Sequence, residues 1–241
     1  MSVWKLLSGV AAGLASEIHL PGNGSISALL TSLSGRHPHA DGGVAHNQIA
    51  FTIGVIALGA KMAKADGIVT RDEVLAFKDV FRVPEGELEN VSRIFDLAKQ
   101  DIAGYEVYAE QLAGLFKHDH RLLEDVLEGL FHIAMADGVF HPNEERFLAA
   151  VAKRFGISEN EFSYIKARHV GSTKESPYDV LGVTPDISND KLKTHYRRLV
   201  VENHPDKMVA RGVPSECVSM ATKKIAAINA AYEAVAKERN I

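Results

Sequence analysis

Pro205 constrains this chain more than any other residue. It lacks an N–H and forces the residue before it out of helical geometry, so it must end the helix that the preceding residues encode. Leu192, Tyr196, Leu199 and Val200 recur at i, i+4, i+7 and i+8 as an apolar stripe, while Lys191, Lys193, Arg197 and Arg198 fall on the opposite face. This spacing predicts a basic helix that stops at about Asn203 and leaves His204 and Asp206 on an exposed loop. A second helix is expected between about Ser215 and Lys237, a run without Gly or Pro in which Ile225, Ile228, Tyr232 and Val235 keep helical spacing. Gly212 and Pro214 supply the turn between the two helices, which then form an antiparallel hairpin around one core.

A shorter segment, Pro177 to Val183, lies before the hairpin and can cap that core. Three linked features, Tyr178 to Val183, Tyr196-Arg197-Arg198-Leu199 and His204-Pro205-Asp206-Lys207, make this last quarter of the chain resemble a J-domain. The resemblance implies docking on a DnaK-type heat-shock ATPase. The basic helix (Lys191, Lys193, Arg197, Arg198) would meet the partner by charge, and His204, Pro205, Asp206 and Lys207 would contact it at the tip. Asn203 departs from the family, in which an aromatic or basic residue often precedes the histidine. The chain carries no phosphate-cradling glycine motif, Ser or Cys nucleophile motif or zinc-protease helix, so it is expected not to be an enzyme. The ATP chemistry would belong to the partner, and no cofactor is required.

The middle of the chain repeats itself. Ile49, Ile53, Ile56 and Ala60 keep helical spacing up to Ala65-Asp66-Gly67, where Thr70 and Glu73 fit a capping box for a helix carrying Val74, Phe77 and Phe81. Leu123, Leu127, Leu130 and Ala134 lead in the same way into Ala136-Asp137-Gly138, with Pro142 suited to the first position of the next helix. Asp66 aligns with Asp137 and Glu73 with Glu144, a repeat of 71 residues. Helix, Ala-Asp-Gly turn and new helix recurring in this way resemble the TerB-like (tellurite-resistance-associated) domain. The resemblance implies that Asp66, Glu73, Asp137 and Glu144 meet and bind a divalent cation. The same residues are also what helix caps and the helix dipole favour without any metal.

These signals divide the chain into an N-terminal helical and loop segment at 1–45, a TerB-like domain at 46–168, a linker at 169–176 and a J-domain at 177–241, all of them α-helical. Each side of the linker has its own periodic apolar faces, which predicts two independent cores. A TerB-like domain followed directly by a J-domain is the arrangement of DjlA-like co-chaperones, which implies a DnaK-type partner and an unfolded or specific client. The alternative is a divalent-metal-responsive stress adaptor that uses the hairpin only for docking.

Charge excludes one class of partner. Residues 176–241 hold 10 Lys+Arg against 8 Asp+Glu, and the rest of the chain 17 against 23, so neither part offers the dense basic stripe that nucleic acid requires. A single cysteine, Cys217, suits a reducing compartment and excludes an internal disulfide framework. Trp4, Leu6, Leu7, Val10, Leu14 and Ile18 make an apolar stretch that Glu17 and His19 interrupt, short of the ~20 apolar residues a membrane helix needs. The expectation is a cytoplasmic protein, with membrane contact at most peripheral to the inner membrane through residues 3–18.

Overall fold

The structure is a computed structural model that describes residues 43–66, 83–100, 104–170 and 176–241. The apolar stretch at 3–18, the Thr70–Glu73 capping box with its helix, and linker residues 171–175 lie outside the described residues. Described residues form helices α1 (Gly43–Asp66), α2 (Leu88–Gln100), α3 (Tyr105–Leu115), α4 (His120–Ala134), α5 (Pro142–Arg154), α6 (Glu159–Val170), α7 (Pro177–Leu181), α8 (Asn189–Glu202), α9 (Pro205–Arg211) and α10 (Val218–Arg239), with no strand among them. The all-α class expected from periodicity is the class observed.

α1 is the axis of the first module. Its apolar residues were expected on one face, yet Ala50, Phe51, Ile53, Val55, Ile56, Leu58 and Ala60 are all fully buried. The reason is that α2, α3, α4 and α5 pack around it, and a helix covered on all sides is apolar all round. α4 is buried along almost its whole length, and its N-terminus is fixed by Asp119, whose side chain accepts from the Leu122 N–H. α6 closes over α4 through Phe131 against Phe162, ring centroids 5.5 Å apart. It runs on to Val170, so His169 and Val170 at the start of the expected linker are helical.

The second module is the predicted hairpin with its cap. Tyr178 and Leu181 of α7, Leu192 of α8, and Ile228, Ala231 and Val235 of α10 form its core. Tyr196 stacks on Tyr232 at 4.0 Å and donates its hydroxyl hydrogen bond to Asn229. Pro177 at the first turn and Ser176 as N-cap start α7, and Gly182 in left-handed geometry ends it. Leu192→Ala is expected to destabilise the chain by about 2–5 kcal/mol, because the side chain is wholly buried, with exposed Val201→Ala as a control near zero. Chemical denaturation measures both.

The two modules have separate core clusters, and they also meet. Met208 and Val213, together with Cys217, Met220 and Ala221, bury their side chains in the core of the first module rather than that of the hairpin. The hairpin periodicity reports one partner face, whereas the turn between α8 and α10 has a second face that packs on α1 and α4. α9 contacts both of those helices, and α10 contacts α4 and α6.

Candidate functional site

Backbone chemistry places the histidine. α8 ends at Glu202, and Asn203 caps it, its amide donating to the Leu199 carbonyl at 2.7 Å. Asn203 is buried, so the residue where family members often carry a larger side chain is here a helix cap. Only Asn203 and His204 then separate two helices, because Pro205, which ends α8, is also at the first position of α9. The exposed loop expected to carry His204 and Asp206 is corrected in one respect: both are exposed, but Asp206 belongs to α9. Proline stops a helix that arrives from its N-terminal side and starts one that leaves from it, and Pro205 does both.

His204 is the N-cap of α9. Its Nδ1 accepts from the Asp206 N–H at 3.3 Å and lies 3.6 Å from the Asp206 carboxylate. The His204 side chain is 54% exposed and that of Asp206 92%. Among the described residues the ring's Nε2 has no partner. Lys191, Arg197, Arg198 and Lys207 are exposed and Lys193 is half-buried, so the basic face predicted for α8 continues around the tip. Arg198 reaches Glu202 at 4.0 Å and His195 at 2.9 Å. Lys191, Arg197 and Lys207 form no ion pair among the described residues, which leaves their charge for a partner.

The stem beneath this tip is held by charges that sequence reasoning missed. Arg211, at the end of α9, donates to the Glu202 carbonyl at 3.0 Å and to the buried carboxylate of Asp125 in α4 at 2.8 Å. Arg121 bridges Glu124 and Glu202, 2.9 Å from each. Lys224 of α10 lies 3.0 Å from Glu128, which also takes Arg168 at 2.6 Å and His169. Burial raises the Asp125 carboxyl above its usual range, although Lys224 and Arg211 oppose it. Burial also acts to raise Glu128, but Arg168, Lys224 and His169 together outweigh it and hold Glu128 well below the carboxylate range. Gly212 has φ +114°, and a Cβ there would sit 2.4 Å from that of Asn47, so the turn approaches α1 as only glycine allows. A signal for this contact existed in the sequence, since Asp125 and Glu128 fall on the apolar face of α4, where unpaired carboxylates are excluded.

The four repeated carboxylates are only partly placed. Asp66 ends α1, and Glu73 lies outside the described residues. Asp137 accepts from the Val139 N–H at 2.8 Å, and Glu144 is buried and accepts from the His141 N–H at 2.9 Å. Those two bonds are the turn and cap roles that the sequence also allowed. Among the described residues no helix is long and apolar enough to cross a membrane.

Comparison with known proteins finds two family models along the chain. The family model of tellurite resistance protein TerB matches residues 52–167, and that of the DnaJ domain matches 176–240. The chain is 28% identical over 218 residues to co-chaperone protein DjlA of Photobacterium profundum, covering 80% of this chain and 79% of that protein. It is 30% identical over 200 residues to the protein of that name from Coxiella burnetii, covering 75% and 74%. With that of Escherichia coli strain K12 it shares 33% over 141 residues, 49% and 52%. No solved structure gives a significant match.

Proposed function

The chain belongs to the DjlA family of co-chaperones, and from that premise we propose that it docks on a DnaK-type heat-shock chaperone and stimulates its ATPase. The observation that carries this reading is the exposed His204-Pro205-Asp206 tip, set on a rigid stem and flanked by unpaired cations. His204 makes one long bond within its own turn, and its Nε2 is free for a partner. The chain itself needs no cofactor for this role and supplies geometry, since hydrolysis takes place on the partner.

The TerB-like module recruits clients or senses an ion in this proposal. Its buried contact with the J-domain favours a role joined to that of the tip over a hairpin used only as a handle, which is how the stress-adaptor alternative would use it. A single-turnover ATPase assay with the cognate DnaK-type chaperone tests the reading. A hydrolysis rate unchanged by saturating amounts of this protein would refute it.

Charge reversal gives a second check. Lys191→Glu combined with Arg197→Glu removes two exposed cations from α8 and touches no core residue. Association with the partner is expected to slow by about tenfold at low salt and to lose much of its salt dependence, because such groups act mainly on encounter. Stopped-flow association rates across a salt series measure this, and unchanged stability confirms that only the surface was altered.

A further inference from the structure

We propose that the TerB-like module holds a borderline divalent cation of the zinc class between His120, Glu124 and Glu161. These residues are distinct from the four repeated carboxylates, and the proposal gives the ion-sensing role suggested above a specific place. Its test reads metal binding alone, so failure of chaperone docking would leave it standing.

His120 opens α4, Glu124 follows one turn later on the same face, and Glu161 comes from the first turn of α6. The imidazole Nε2 is 3.6 Å from Glu124 Oε1 and 3.6 Å from Glu161 Oε1, and one ligand atom from each residue lies within 4.8 Å of the others. Nitrogen–oxygen hydrogen bonds are shorter than this, about 2.9 Å. Donors about 2.1 Å from a tetrahedral ion, in contrast, stand about 3.4 Å from one another. Both nitrogen–oxygen separations suit atoms facing a common centre better than two bonded pairs.

Donors outside the set orient both carboxylates. Glu124 Oε2 accepts from Arg121 at 2.9 Å. Glu161 Oε2 accepts from the Ser158 N–H at 2.8 Å and the Ser158 hydroxyl at 2.7 Å. Each carboxylate therefore has one oxygen anchored and the other turned to the histidine, which is the way outer partners fix metal ligands. Those Ser158 bonds, with help from His120, hold the Glu161 carboxyl below its usual range. Two helices packed through Phe131 and Phe162 carry the set, so it is built on rigid elements.

The donor set chooses the ion. One imidazole and two carboxylates suit zinc, cobalt or nickel, whereas calcium needs six or more oxygens and magnesium keeps most of its water. Exposure of His120 leaves water access for the remaining positions. A protonated His120 paired with the two glutamates is the competing explanation of the geometry. Such a pair would take up no cobalt or zinc, so the metal titration separates the two.

The experiment titrates the chelator-treated full chain with cobalt(II) and zinc(II) at mildly alkaline pH, followed by visible absorption and calorimetry. One equivalent is expected to bind in the wild type. His120→Gln and Glu161→Gln are each expected to weaken it by at least tenfold, while His141→Gln, which sits beside Asp137, leaves it unchanged. Circular dichroism checks folding, and His120→Gln alters an exposed ring, so it carries the test even if Glu161→Gln unfolds. Absence of a one-equivalent phase in the wild type, or an unchanged phase in His120→Gln, overturns the proposal.

Discussion

His204→Gln is expected to reduce stimulation of the DnaK-type ATPase to the unstimulated rate while leaving the protein folded. The histidine has half its side chain in solvent, and its one described side-chain hydrogen bond, from the Asp206 N–H, is long at 3.3 Å. Loss of an N-cap bond of that quality and of an exposed ring should lower stability by no more than about 1 kcal/mol. Glutamine keeps a polar group but cannot present both ring nitrogens in one plane, with Nδ1 tied back and Nε2 outward. Activity and stability should therefore separate. Measured together, single-turnover hydrolysis and urea denaturation decide it. Full stimulation by the variant, or a loss of several kcal/mol of stability, would make the histidine structural and remove the basis of the co-chaperone reading.

Much of this tip was legible in the sequence because it depends on local rules. Leu192, Tyr196 and Leu199 on one face and Lys191, Arg197 and Arg198 on the other follow from a helical period, and Pro205 fixes where that period breaks. What local rules did not reveal was that the break is only the two capping residues wide. Proline at a helix start is as strong a signal as proline at a helix end, and Asp206 behind it favours the positive end of the helix dipole. Both signals pointed to α9, and reading them together would have placed His204 as a cap.

The contact between modules was harder to read, because it is made by residues that lack any single period. Met208, Val213 and Cys217 are spaced along a short helix and the turn after it, too few to form a stripe. Each of their partners lies far away in the chain. Asp125 and Glu128 gave the clearest hint, since Leu123, Val126, Leu127, Leu130 and Phe131 surround them on a helix with almost no solvent-facing side. Charge at such positions requires a partner of opposite sign from another element. The sequence does not show which one, and the fold supplies Arg211, Lys224, Arg168 and His169 from three different helices. For Asp66 and Glu73 the turn-and-helix repeat was visible, but the same pattern serves caps as well as metals. Asp137 shows the turn bond and Glu144 the cap bond directly.

Asp125→Ala is the prediction with the largest expected effect on stability. Asp125 is 1% exposed and faces Arg211 at 2.8 Å and Lys224 at 3.9 Å. Truncation leaves two mostly buried cations short of a counter-charge, and breaking a buried pair in this way typically costs about 3–5 kcal/mol. Lys224 keeps Glu128 at 3.0 Å, so most of the loss should fall on Arg211. A cycle with Arg211→Ala can apportion it: if the two residues act as a pair, the double variant should be less destabilised than the sum of the singles by about 0.5–3 kcal/mol. Arg211 also holds the Glu202 carbonyl, two residues before His204, so Arg211→Ala should loosen the stem as well as the interface. Hydrogen exchange at Asn203 to Lys207 reads that motion separately from global unfolding. Denaturation midpoints that move by less than about 1 kcal/mol in Asp125→Ala, with additive singles, would mean that the two modules do not hold each other in solution.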